Sequence, residues 1–99
     1  MQKIFTESDN NKNVKCVAGD IVDIYLAANP STGFFWQATD TSAGHLDKIQ
    51  YDSAPNTGAA THVRFRFIVV QTGVFTLNYA RPWEELAPPV KWYTLNIEV

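Results

Sequence analysis

Turn-forming residues break this chain at short intervals, and that spacing narrows the fold more than any other feature. Gly19-Asp20, Asn29-Pro30, Gly33, Gly44, Pro55-Asn56, Gly58, Gly73, Pro82 and Pro88-Pro89 punctuate it from end to end. The stretches between them run about six to ten residues, which suits strands and turns and is too short for packed helices. Their residues agree, being rich in Val, Ile, Phe, Tyr, Trp and Thr, the types that fit a pleated, half-buried surface.

Within the stretches, apolar residues alternate. In "HVRFRFIVV" Val63, Phe65, Phe67 and Val69 fall on one face, with His62, Arg64, Arg66 and Ile68 on the other. This period of two marks a half-buried strand. "DIVDIYLAA" puts Val22, Ile24 and Leu26 together and Asp23 and Tyr25 opposite, and "GFFWQATD" pairs Phe34 with Trp36. "GVFTLNYAR" aligns Phe75, Leu77 and Tyr79, and "KWYTLNIEV" aligns Tyr93, Leu95, Ile97 and Val99. "KIFTE" and "VKCVAG" read as shorter edge strands, while "AGHLDKIQYDS" fits either a helical turn or a strand after Gly44. No stretch reads as an amphipathic helix. Seven or eight short strands cannot bury their faces as one open sheet, so two packed sheets are expected. The expected fold is therefore all-β, an immunoglobulin-like antiparallel β-sandwich with Trp36 in its core, and a small closed barrel is the alternative.

The 99 residues suffice for one domain, spanning 1–99. A formal net charge of -2 with no Lys/Arg run points away from nucleic acid as a partner. No apolar run approaches the length of a membrane span, so no membrane partner is expected. The N-terminal "MQKIFTESDNNKN" has no hydrophobic segment of signal-peptide type, and a cytoplasmic location is the default expectation. Cys16 is the single cysteine, which precludes an intrachain disulfide and leaves stability to an apolar core.

Two stretches stand out. In "NPSTGFFWQ" Pro30 fixes its own φ and pushes Asn29 towards an extended shape, while Gly33 supplies the positive φ that tight turns use. Ser31 and Thr32 place small hydroxyls at the crown, so the stretch reads as a stiff, pre-shaped loop or as a plain connection between strands. Stiffness suits a binding loop, because the cost of ordering is met before the partner arrives. "YARPWEE" has the same make-up: Pro82 bars it from a central strand and sets Trp83 on a loop beside Glu84 and Glu85. Trp and Arg are the residue types enriched at binding hot spots.

"NPSTGFFW" followed by "RPWE" on an all-β chain of this length resembles the chagasin-type inhibitors of papain-family cysteine peptidases. Those proteins carry an Asn-Pro-x-Thr-Gly loop, a glycine-rich middle loop and an Arg-Pro-Trp loop on an immunoglobulin-like sandwich. The matching positions are Asn29, Pro30, Thr32 and Gly33, then Arg81, Pro82 and Trp83, and the likeness extends from about Gly19 to Val99. The resemblance implies a reversible, competitive protein inhibitor whose three loops wedge into the cleft of a papain-family (cathepsin L/B type) peptidase. It implies that the Asn29–Gly33 loop, Ser31 included, lies over the catalytic cysteine and histidine with Thr32 nearest them. It also implies that Trp83 packs on the primed side of the cleft. Phe34, Phe35 and Trp36 would anchor the first loop in the sandwich. The middle loop departs from the pattern: before "FRF" the chain reads "PNTGAATHV", with only Gly58 where the family has several glycines. Thr57, Gly58, Ala59 and Ala60 are the corresponding contact positions, and alanine there does not readily adopt positive φ.

Other chemistry is thin. His45, Asp47 and His62 lack metal-ligand spacing, and Cys16 lies in an apolar strand, where structural cysteines are the commoner kind. No nucleophile–base pair, phosphate loop or Gly-x-Ser-x-Gly appears, so neither an enzyme nor a cofactor is expected. A free monomer is the default. The alternative function is a carbohydrate-binding or adhesive sandwich using Trp83 and Trp92 as a sugar platform, which would need both rings coplanar on one exposed face.

Overall fold

Among the described residues, the alternating stretches form eight strands in two four-stranded sheets. The computed structural model describes residues 1–28, 33–53, 61–81, 83 and 88–99. In chain order the strands are β1 (Gln2–Thr6), β2 (Lys12–Lys15), β3 (Ile21–Ala28), β4 (Phe35–Asp40), β5 (Gly44–Ser53), β6 (Thr61–Val69), β7 (Gly73–Ala80) and β8 (Lys91–Glu98). One sheet has the order β1-β3-β6-β5 and the other β2-β8-β7-β4. From β3 onward every pairing is antiparallel, whereas the two N-terminal edge strands join β3 and β8 in parallel. "AGHLDKIQYDS" resolves as strand β5, and the register shift between Leu46 and Lys48 gives this edge strand a bulge around Asp47. Bulges and charges of this kind keep an edge strand from templating further pairing.

The core is what the alternation requires. Val22, Ile24 and Leu26 of β3 and Val63, Phe65, Phe67 and Val69 of β6 face Phe75 and Leu77 of β7 and Tyr93, Leu95 and Ile97 of β8, all of them buried. Phe67 and Phe75 stack across the two sheets with ring centroids 4.3 Å apart. Trp36 is buried at one end of this core and donates its indole N–H to the Ala27 carbonyl at 3.0 Å, joining β4 to β3. Val99, aligned with the buried face of β8 by periodicity, is instead 52 % exposed because it lies past the end of that strand.

The alternation did not announce a short 3-10 turn at Glu7–Asp9, through which the chain crosses from β1 in one sheet to β2 in the other. It is pinned from below: the buried Tyr93 hydroxyl donates to the Thr6 carbonyl at 2.7 Å. Burial pushes the Tyr93 phenol well above its ordinary range, and the Asp9 and Glu7 charges add to this, so it stays a neutral donor. Tyr93→Phe strands the Thr6 carbonyl, and we expect it to lower the unfolding free energy by about 1–2 kcal/mol in urea titrations. A loss below about 0.5 kcal/mol would mean that water replaces the phenol there.

Register decides where the three sequence motifs meet. Ala28 pairs with Thr61 and Ser53 pairs with Thr61, so β3 and β5 end where β6 begins. In the other sheet Phe35 pairs with Ala80 and Tyr79 with Lys91, so β4 and β8 begin where β7 ends. The Trp36–Ala27 hydrogen bond joins these two sets of ends. The strand ends flanking all three motifs thus lie at one end of the sandwich.

Candidate functional site

Of the twelve positions that the sequence singles out, Gly33, Arg81 and Trp83 are described structurally; Asn29, Pro30, Ser31, Thr32, Thr57, Gly58, Ala59, Ala60 and Pro82 lie outside the described residues. Gly33 has φ +83°, the left-handed conformation expected of a turn glycine. The flat side of Gly33 is covered by the indole of Trp83: a Cβ at position 33 would sit 2.6 Å from Trp83 Cζ2 and closer still to Cη2. A side chain there would displace the indole, so the absence of Cβ is what lets the two motifs touch in this way. Trp83 nonetheless remains 64 % exposed, with most of its surface presented to solvent.

Behind this contact the two motifs share an aromatic stack. Phe34 stacks on Tyr79, with centroids 5.4 Å apart and planes 23° from parallel, and Tyr79 in turn meets the buried Trp36 at 5.0 Å. The Arg81 guanidinium lies over the Phe34 ring, 4.5 Å from its centroid. Lys91 Nζ approaches the Tyr79 ring at 5.6 Å. Aromatic pairs contribute about 0.5–1.5 kcal/mol each beyond their area, and an exposed cation–π contact about 0.5–1 kcal/mol. The series Arg81, Phe34, Tyr79, Trp36 therefore runs from the third motif through the first into the core. Tyr51 of β5 approaches the same end; burial raises its phenol above the ordinary range, with a smaller contribution from Tyr79.

The sequence explains why Phe34 and Trp36 lie on one side, since they are two residues apart. It does not show that the Tyr79 ring would meet both of theirs, nor that Arg81 would turn back over Phe34; those contacts cross between the β4 and β7 sides. The turn residue Glu7 was missed as well. Its carboxylate Oε1 accepts the Ala27 N–H at 2.8 Å, at the end of β3 just before the first motif. The Thr6-x-x-Asp9 spacing, in which Asp9 Oδ2 accepts the Thr6 N–H at 2.8 Å, is the signal that could have located that turn.

The arrangement holds an exposed tryptophan and a constrained backbone turn on a rigid aromatic base, which is the make-up of a binding ridge. Of the other candidate groups, Cys16 and His45 lie away from this end, whereas His62 and Trp92 are the second residues of β6 and β8, which begin here. Cys16 sits beside Glu98 at the far end of β8, its N–H donating to the Glu98 carbonyl at 2.8 Å. Burial pushes its thiol up, and the Asp20 charge adds to this, leaving a poor nucleophile. His45 pairs with Ile68 and His62 lies six positions away along β6, about 20 Å on strand geometry, too far to share a metal ion. Trp92 is 54 % exposed on β8, where Asn10 Nδ2 donates to its carbonyl at 3.2 Å.

Comparison with known proteins agrees with this geometry. The family model of the chagasin family peptidase inhibitors, I42, matches residues 15–97. Amoebiasin-2 of Entamoeba histolytica is 27 % identical over 103 aligned positions, covering 97 % of this chain and 84 % of the relative. Amoebiasin-1 of the same organism is 29 % identical over 100 positions, covering 95 % and 96 %. Among solved structures, the cysteine protease inhibitor EhICP2 from Entamoeba histolytica superposes with a TM-score of 0.85 at 25 % identity, covering 99 % of this chain and 95 % of that one. The solution structure of Amebosin gives 0.77 at 28 % identity, with 97 % and 96 % covered.

Proposed function

The chain belongs to the chagasin family of peptidase inhibitors, a family of cysteine peptidase inhibitors and not of enzymes, and from that premise we propose how it inhibits. The end of the sandwich carrying Gly33, Arg81 and Trp83 wedges into the active-site cleft of a papain-like peptidase, reversibly and in competition with substrate. The observation that carries this reading is the Trp83–Gly33 contact, which joins the first and third motifs into one ridge. In this reading the Asn29–Gly33 segment lies over the catalytic cysteine and histidine, with Thr32 nearest them and Trp83 on the primed side. Thr57, Gly58, Ala59 and Ala60 meet the unprimed side.

Inhibition without cleavage requires that no peptide carbonyl be held at attack distance in line with the thiolate. A segment bounded by Pro30 and by Gly33 at φ +83° is ill suited to the extended shape of a substrate. Ridge residues fixed in advance by the aromatic stack leave less ordering cost to be met on binding. The carbohydrate reading is not favoured, because the family and the superposed structure of EhICP2 are those of peptidase inhibitors.

The test is titration of active-site-counted papain and a cathepsin L-type enzyme, reading residual hydrolysis of a fluorogenic peptide. We expect stoichiometric loss of activity that substrate competes away. Trp83→Ala should cost about 2 kcal/mol or more, or roughly thirtyfold in inhibition constant. A change below about threefold would remove Trp83 from the contact.

A further inference from the structure

We propose that Glu7 is a positioning residue for inhibition, fixing the point at which the first inhibitory motif leaves the sandwich. The proposal rests on the inhibitor reading above and adds to it an element outside the three motifs. Strand β1 ends at Thr6, in register with Tyr25, so Ala27 lies past the reach of its neighbouring strand. Two side chains take over where that strand stops. Glu7 Oε1 accepts the Ala27 N–H at 2.8 Å, and the Trp36 indole donates to the Ala27 carbonyl at 3.0 Å. Both backbone groups of one residue are thereby held from outside the strand, two positions before Asn29.

The two holding groups reach Ala27 from opposite directions in the chain. Trp36 follows the first motif and is rooted in the core, so it ties the exit of that segment to its entry. Glu7 precedes β3 and ties the entry to the crossover between the sheets. Its own position is fixed by its turn. The Thr6 carbonyl accepts from Tyr93, and the Thr6 N–H donates to Asp9. Asn10 bonds β8 twice, donating from Nδ2 to the Trp92 carbonyl at 3.2 Å and accepting the Thr94 N–H at Oδ1, 2.9 Å away. The Glu7 carboxylate is thus a strut between a turn anchored on one sheet and the last residues of a strand in the other. A strut of this kind requires an acceptor oxygen at the right place and does not require a charge.

The experiment compares wild type, Glu7→Ala and Glu7→Gln in three readouts: inhibition of papain, amide exchange by NMR, and fold by circular dichroism. Glu7→Ala should speed exchange at the Ala27 amide and raise the inhibition constant about fivefold, mainly through faster dissociation. Glu7→Gln keeps an acceptor oxygen and should stay within about twofold of wild type in both. Unchanged Ala27 exchange in Glu7→Ala would overturn the strut. Faster exchange with an unaltered inhibition constant would overturn its role in positioning, and so would a Gln variant as impaired as Ala. Should wild type itself fail to inhibit, the inhibitor reading falls separately. The decision on the strut then rests on Gly33 and Phe35, whose amide shifts in Glu7→Ala must move along with Ala27 if the motif's two ends are coupled, and must stay fixed if they are not.

Discussion

Gly33→Ala should weaken inhibition of papain by at least about a hundredfold, a large functional loss for the addition of one methyl group. Two costs combine. An L-residue held at the φ of +83° found here pays a steric penalty of roughly 1–2 kcal/mol. The new Cβ would also fall 2.6 Å from Trp83 Cζ2, so the indole must leave its seat. Losing the seated Trp83 removes about 2 kcal/mol or more if it is a hot spot. The sum lies near 3–4 kcal/mol, with each 1.4 kcal/mol worth a factor of ten. Since the second cost exists only when the ring is present, the two substitutions should be strongly non-additive. In a Trp83→Ala background, Gly33→Ala should cost only its backbone strain, about five- to thirtyfold. If Gly33→Ala were equally damaging in both backgrounds, the indole contact would have no part in binding.

A large loss of stability is expected from Asp23→Ala. Asp23 is wholly buried on the outer face of its sheet, opposite Arg66 in the β3–β6 register. Arg66 grips it in bidentate fashion, Nε to Oδ1 at 2.8 Å and Nη2 to Oδ2 at 3.1 Å, and Gln2 Nε2 donates to Oδ2 at 2.5 Å. Burial alone would push this carboxyl up; the hydrogen bonds from Arg66 and Gln2, with the charges of Arg66 and Arg64, more than offset that and hold it below the ordinary range. Breaking a buried pair costs about 3–5 kcal/mol. Arg66 keeps 26 % of its side chain exposed and can be rehydrated once alone, which brings the expectation down to about 2–3 kcal/mol. For a domain of this size that is a fall of about 10–20 °C in Tm.

The pH dependence has a definite sign. A carboxyl whose folded pKa is depressed contributes stability that is present above its unfolded value, near 3.9, and is lost as pH falls through the folded value. Urea unfolding of wild type and Asp23→Ala should therefore differ most at pH 7 and converge below about pH 4. A gap that persists undiminished at pH 3 would assign the loss to packing and not to the ion pair.

Asp23 also shows where sequence reading stops. Alternation puts it on the face opposite Val22 and Ile24, and there it lies, but a position on the outer face normally means solvent. What buries it is Arg66, a cross-strand neighbour 43 residues away, together with Gln2 from β1. Trp83 was recognisable as a loop residue because Pro82 excludes a central strand, and its exposure agrees. Its partner Gly33 was recognisable as a turn glycine, yet the contact between them depends on two loops from different strand pairs.

By itself the sequence determined the all-β class, the faces of five of the strands and the two motifs of the inhibitor family, because each is encoded by neighbours within about ten residues. Period-two burial, the fixed φ of proline and the freedom of glycine are local properties and survive without knowledge of the fold. Only the tertiary structure decided that the flanking ends of the motifs lie together, that N-terminal β1 and β2 join in parallel, and that Arg81, Phe34, Tyr79 and Trp36 form one stack. It also gave Glu7 its place at Ala27. These depend on strand register and on which sheet edge each strand joins, and those choices are settled by the packing of the whole core and not by any one stretch of the chain.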